Sequence, residues 1–454
     1  MQENTANPWN KRVRRLAGPI ILSNVSVPLL GVVDTAVVGR LPGPEHIGAV
    51  AVGATIFNVV YWAFGFLRMG TTGFTAQALG RRDFDDVRNT LGRAFVIAVV
   101  ICLGLWLCQT PIKRLALGII DASDAVTPLA ERYYDIRIWA APAALMNYAL
   151  LGWFIGAEHT KAALISQAFL NGLNMILDAV FVLRFQWGVD GVALATVIAE
   201  YAGLGVGLLL MAVKSKSLGG RWRRSAWVEP AALKAMMAVN RDILIRTLCL
   251  QTAFVLFTAI GARLGDVQLA ANAVLLLFHF VMAYGLDGFA FAAESLTGQA
   301  YGARRMGDFK AAARSATTFA LVLSIVAAPI YWSLGPLVID AITIEPQVRE
   351  TARQYLIWVV VSPVVSVWPF MLDGIFIGCT RSSEMRNAAM MSLCFYLGFL
   401  VLAPPVLGNH GLWLALMGFM VVRALTLLVH YPKILDHFSD EASNRIGPGK
   451  QSSP

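Results

Sequence analysis

Charge is what this sequence has least of. Asp, Glu, Lys and Arg together make up 14% of its 454 residues, against 57% hydrophobic residues, whereas a soluble chain is about one quarter charged. So few charges cannot cover a soluble body, and a mean hydropathy of +0.62 excludes disorder and a collagen-like fibre. Cysteine is scarce as well. The five (Cys102, Cys108, Cys249, Cys379, Cys394) all lie in apolar stretches and none forms a Cys-x-x-Cys pair, which removes a disulfide scaffold and the common metal motifs. The six histidines include no pair at i, i+4. There is no Walker A loop and no Ser/His/Asp grouping. A primary pump driven by nucleotide, and a membrane-embedded enzyme, therefore lack the residues they would need.

What the sequence has in abundance is apolar length. A membrane-spanning helix needs ~20 mostly apolar residues. Twelve stretches qualify, near 16–39, 48–79, 91–110, 131–156, 162–184, 188–213, 241–263, 268–300, 314–338, 353–378, 387–407 and 410–432. Several are long enough to imply tilt or extension beyond the bilayer. They are expected to be helices, because backbone amides in lipid need partners within their own segment. A barrel would show alternating strands of ~10 residues instead.

The net charge is +9. Its basic residues sit in short runs between apolar spans, not on the face of a polar domain as in a nucleic-acid binder. KRVRR near the N-terminus, GRRDFDDVRNTLGR, KSKSLGGRWRR, GARRMGDFKAAAR and TRSSEMR are all basic, while LPGPEHIG and GNHG are poor in Lys and Arg. The basic runs occupy the N-terminus and the even-numbered loops, so both termini are expected on the cytoplasmic side of an inner (plasma) membrane. The apolar run after the N-terminal basic residues is too long for a signal peptide. The expected organisation is an N-terminal tail (1–15), a first lobe of six helices (16–213), a cytoplasmic linker acting as a hinge (214–240), a second lobe (241–432) and a C-terminal tail (433–454). The tail is polar after Asp436 and is expected to be disordered.

The two lobes echo each other. QAYGARRMGDF begins at Gln299, 222 residues after QALGRRDF at Gln77, and GIFIGCTRS begins at Gly374, 222 residues after GWFIGAEHT at Gly152. Both halves start on the same side, which makes this a parallel duplication with a pseudo-twofold along the membrane normal. The fold class is thus all-α integral membrane, with twelve helices in two pseudo-twofold-related bundles of six. Transporters of this build hold substrate between halves and alternate access by moving one against the other.

Ionisable groups inside a span cost at least ~2.5 kcal/mol each and point to function or pairing. Asp34 lies near the outer end of span one. Asn174 and Asp178 lie four residues apart on span five, on one face. Counted from the cytoplasmic starts, at ~1.5 Å per residue, Asp34 and Asp178 reach similar heights. Two close carboxylates in a medium of low dielectric cannot both ionise cheaply, so the pair suits a proton, and with Asn174 it also suits a sodium ion. Thr196 on span six and Tyr134 on span four are candidates for the same layer. The plainer reading leaves Asp34 solvated at the headgroup border. Pro19 and Pro28 favour a kink in span one, so a bend there is a candidate link between protonation and shape. Arg246, Asp287 and Asp373 fall in one half of the second bundle and are expected to form a buried ion cluster, with Arg68 and Glu200 pairing likewise in the first. Glu200 facing a cavity would instead attract a cationic substrate. His279, alone on an apolar helix, is expected to be a packed, hydrogen-bonded residue. Phe57, Tyr61, Trp62, Phe64 and Met69 on span two, and Phe278, Phe280, Met282 and Tyr284 on span eight, are candidates to line an adaptable apolar cavity. The alternative is that they face lipid or neighbouring helices.

The strings VPLLGVVDTAVVGRL, LRMGTTGFTAQALG, WGVDGVALATVIAEYA, DGFAFAAESLTGQAYG and LDGIFIGCTRSSEMRN resemble the DinF branch of the MATE (multidrug and toxic compound extrusion) family, over about residues 11–432. The resemblance implies two six-helix lobes around a cleft. It also implies efflux of varied, often cationic or amphipathic small molecules from a membrane, driven by a proton gradient or alternatively by sodium. No cofactor and no nucleic acid are implied, and the chain is expected to act as a monomer among membrane lipid. It carries the family's coupling site onto Asp34, Asn174, Asp178 and Thr196, with Tyr134 or its neighbour Tyr133. The NorM branch carries an acid on span seven, whereas this span seven has Arg246 and no mid-membrane acid, which argues against a second-lobe sodium site. A flippase for lipid-linked oligosaccharide or other lipid-linked precursors is the rival transport reading. It would want an arginine cluster for pyrophosphate, and the sequence offers Arg68 and Arg246 but no arginine cluster at cavity depth.

Overall fold

The computed structural model describes residues 8–41 and 43–445, leaving aside the side chains of residues 27, 35 and 439–445. Among them are twelve helical spans long and apolar enough to cross a membrane, and no strand. Spans one to six are Pro8–Val38, Pro44–Gly80, Phe84–Leu107, Thr127–Gly156, Thr160–Arg184 and Gly188–Leu218. Spans seven to twelve are Arg224–Arg263, Asp266–Gly302, Met306–Ile342, Pro346–Gly378, Ser382–Leu402 and Asn409–Phe438. Most overrun the apolar stretches at their ends. Span one already starts at Pro8, and Pro19 and Pro28 lie inside its continuous helix, each removing one i→i−4 bond. The last helix continues to Arg445, so the expected disordered tail begins no earlier than the undescribed residues 446–454. Of the expected N-terminal tail, only residues 1–7 lie outside the described helix.

Three of the spans are interrupted within the first lobe. Span two breaks between Ala63 and Phe66. Span four passes through a 3-10 turn, Ile138–Ala140. Pro142 explains it, since Pro has no N–H to return to the Ile138 carbonyl. Trp106 Nε1 donates to that oxygen instead at 3.3 Å, and Tyr201 Oη donates to the Trp139 carbonyl at 3.0 Å. Span five changes to a π-helix at Ala179–Arg184, immediately after Asp178. Such local widenings recur at functional sites.

The chain forms two compact units. Among the described residues, one holds Leu16–Thr75 and Asp83–Asn240, and the other holds residues 8–15, Ala76–Arg82 and 241–445. The linker expected to act as a hinge is docked within the first unit. Asn89 Oδ1 accepts from the Arg223 amide (3.0 Å) and from Trp227 Nε1 (3.2 Å), and Arg93 Nε donates to the Ala226 carbonyl at 3.1 Å.

The sequence echo reappears as matched contacts. In the first unit a Cβ at Gly152 would lie 2.3 Å from the Arg68 carbonyl, and in the second a Cβ at Gly374 would lie 2.5 Å from the Ala290 carbonyl. Both partners are 222 residues apart, like the glycines. Ala76–Arg82 belongs to the second unit because Gln77 Nε2 donates to the Gly378 carbonyl (2.9 Å) and Thr380 Oγ1 (3.0 Å). There the two echoed strings meet reciprocally: a Cβ at Gly80 would lie 2.1 Å from the Gln299 carbonyl, and one at Gly302 would lie 2.2 Å from the Gln77 carbonyl. Backbone cannot step aside as a flexible side chain can. Gly80→Val is therefore expected to cost about 1–3 kcal/mol of stability, read as a lower melting temperature of the purified protein, and Gly302→Val the same. An unchanged melting temperature in both would mean that the crossing is looser than these contacts imply.

Candidate functional site

The charged layer of the first unit is built on spans one, two, four, five and six. Span five supplies a polar face, Gln167, Asn171, Asn174 and Asp178, spaced at helical turns. Gln167 Nε2 donates to Asn171 Oδ1 (3.1 Å), Asn171 Nδ2 to Ser26 Oγ of span one (2.7 Å), and Asn174 Nδ2 to Thr196 Oγ1 of span six (3.4 Å). Asn174 and Asp178 are 3% and 1% exposed, so neither is a solvated surface group.

Asp34 and Asp178 come together. Their carboxyls lie within hydrogen-bonding reach of each other. Among the described residues no N–H or O–H donor reaches either oxygen of Asp178 or Oδ1 of Asp34. Two carboxyl groups can bond each other only when one holds a proton, so this is the geometry of an acid–carboxylate pair sharing one proton. Asn174 and Thr196 stand beside each other on the neighbouring turn.

Tyr134 is not part of this arrangement. Its ring stacks on Phe57 at 5.1 Å, and among the described residues its buried hydroxyl has no partner. Its neighbour Tyr133 is the residue turned to the acids, which act on it electrostatically, and its hydroxyl accepts from Arg137 Nη1 at 2.5 Å. Tyr133 fits because span two offers a glycine there: a Cβ at Gly53 would lie 2.2 Å from its ring. Arg137, one turn on from Tyr133 and one residue before the 3-10 turn, is the group that sequence reasoning missed. Its Cζ lies 5.0 Å from the Phe57 ring centroid and 5.5 Å from that of Tyr133, both within cation–π range.

The remaining candidates lie apart from the acid pair or serve its surroundings. Glu200 accepts from Asn147 Nδ2 at 2.8 Å in place of the expected pair with Arg68. Phe57 and Tyr61 are buried against each other, with ring centroids 5.5 Å apart, so they belong to the acid layer of their own unit. Phe64 packs edge-on to Phe66, Met69 is half-buried and Trp62 is exposed. In the second unit Phe278 sits in the apolar core, edge-on to Tyr331, and Met282 is buried near it. Phe280 is exposed. His279 Nδ1 pairs with Ser362 Oγ at 2.7 Å. Arg246 donates to Asp373 Oδ2, Arg423 of span twelve donates to the same oxygen, and Asp287 and Glu294 act on Arg246 from span eight. Among the described residues no group of three or more His, Cys, Asp or Glu side chains is arranged to hold a metal ion.

A family model described as MatE matches the chain twice, over residues 19–180 and 243–404. The chain belongs to the MatE family. The double match is the internal duplication seen from outside. DNA damage-inducible protein F of Escherichia coli (strain K12) is 44% identical over 92% of this chain and 91% of its own. A MATE structure in the bent conformation superposes with a TM-score of 0.88 at 21% identity, covering 96% of this chain and 97% of that one. An outward-facing multidrug resistance MATE family transporter of the MOP superfamily superposes with a TM-score of 0.87 at 20% identity, covering 94% and 96%. With its twelve spans, the protein is a multi-pass membrane transporter of this family.

Proposed function

We propose that the protein is a secondary antiporter of the inner membrane, acting as a monomer, that exports organic cations and amphipathic compounds in exchange for protons. The observation that carries this reading is the pairing of buried Asp178 with half-buried Asp34, carboxyls on two spans that can bond each other only when at least one holds a proton. Losing that proton puts two charges into one largely enclosed site. That is a large local change for a small chemical event, and so a suitable trigger for shape change. The prolines of span one are the natural place for the helix to yield. Asn174 and Thr196 keep the span-five face aligned with span six. The basic even-numbered loops support a cytoplasmic side for both termini. The flippase reading is weaker, because Arg246 is already committed to Asp373 and is not free for pyrophosphate.

The deciding experiment uses everted vesicles and a panel of fluorescent dyes, with proton and sodium gradients imposed separately. Dye export under the proton gradient alone is expected. Export under sodium alone would overturn the assignment of the coupling ion, and translocation of pyrophosphate-linked lipid sugars but export of no dye would favour the flippase.

A further inference from the structure

Arg137 is a half-buried arginine with an enclosed Nε, beside three acids, yet among the described residues it makes no ion pair. Its partners are the Tyr133 hydroxyl and the faces of Phe57 and Tyr133, and its Nε has no partner at all. Asp34, Asp178 and Glu200 stand close enough to feel its charge. An ionised carboxylate within reach of a half-buried guanidinium would normally take it in a charge-assisted bond. Here Glu200 is held by Asn147, and the Asp pair satisfies itself.

We infer that Arg137 is an internal cation that trades places with the coupling proton, and that the ring faces it rests on are the seat of the exported organic cation. This rests on the antiporter reading. With the proton on the Asp pair, Arg137 lies over Phe57 and Tyr133. When the proton leaves, the carboxylates draw the guanidinium away, and the two ring faces are vacated, with Tyr61 beside them, its hydroxyl without a partner among the described residues. A flat or quaternary organic cation binds such ring faces through the same cation–π attraction that held Arg137. A returning proton neutralises the pair and sends Arg137 back to the rings, displacing the compound. Proton and compound thus exclude each other without sharing a single atom. The charged and titratable groups facing Arg137 are Asp34 on span one, Tyr61 on span two, Tyr133 on its own span, Asp178 on span five and Glu200 on span six. Tyr148 stands beyond Glu200, and Cys102 beyond Tyr61.

The test is equilibrium binding of tetraphenylphosphonium to the full-length protein in nanodiscs, at about pH 6 and about pH 8. For the wild type, binding about tenfold tighter at the higher pH is expected, because the seat is open only in that fraction of molecules. Arg137→Gln is expected to bind at both pH values with the wild type's high-pH affinity, so the dependence shrinks to about twofold or less. Tyr133→Phe removes the hydroxyl that holds the parked arginine and is expected to gain affinity at the lower pH only. It serves as a second route should Arg137→Gln unfold, which a melting curve would reveal. If Arg137→Gln, or Tyr133→Phe in its place, kept the full wild-type dependence, proton and cation would be competing at the carboxylates themselves and the exchange would be overturned. A wild type that bound no tetraphenylphosphonium would overturn the antiporter reading and this inference together.

Discussion

Asp34→Asn and Asp178→Asn are each expected to abolish proton-driven efflux, by roughly 100-fold or more, while leaving folded protein in the membrane. An amide has nearly the shape of a protonated carboxyl group and can donate one hydrogen bond, so either variant freezes the pair in its proton-bound geometry. The two residues act as one proton site, so the losses will not add: the double variant should transport no worse than either single one. The measurement is dye export from vesicles with an imposed pH gradient, beside a melting curve of the same preparation. Full activity in both single variants would end the proton-site reading. Asn174→Ala is a useful contrast. Its bond to Thr196 is long at 3.4 Å, so its loss should slow transport far less than loss of either acid.

Much of this was legible before the structure. The twelve spans stand out because a bilayer asks for a simple thing, unbroken apolar length, and composition reports it directly. Asp34 and Asp178 stand out because a lone acid in such a run has few innocent explanations. The duplication survived as glycines that must meet backbone: Gly152 against Arg68 and Gly374 against Ala290 are the same contact made twice. Arg137 was hidden for the opposite reason. It sits in ERYYDIR, where Glu131, Arg132 and Asp135 are exposed and the whole run reads as headgroup border. Only its phase separates it from them. Ala130, Tyr133, Ile138 and Ala141 are buried, and a residue one turn after Tyr133 must share their face. The choice between Tyr133 and Tyr134 was beyond the sequence, because adjacent helical residues differ by about 100° and either could face span five. Glu200 was assigned to Arg68 by charge alone, whereas its height on span six brings it to Asn147. Arg423 escaped notice as one basic residue midway along a long apolar helix, where a long side chain can still snorkel. At 2% exposed it does not.

That arginine leads to the second large expectation: Asp373→Ala should destabilise the second unit by about 3–5 kcal/mol, the usual cost of leaving a buried charge without its partner. Arg246 and Arg423 both donate to Asp373 Oδ2, and Asp373 is 5% exposed. The two arginines are not equally dependent on it. Arg246 also feels Asp287 and Glu294 on span eight, while Arg423 has Asp373 as its one acidic partner among the described residues. Removing the carboxylate therefore strands Arg423 above all. The double variant Asp373→Ala/Arg423→Met should then melt above Asp373→Ala, because the stranded charge has gone and an apolar chain of similar length fills its place. Melting curves of the purified protein decide this, and rescue by the second substitution is what separates a stranded charge from a mere cavity. If Asp373→Ala melted with the wild type, the cluster would contribute nothing to folding, and the three buried charges would have to be explained by transport instead.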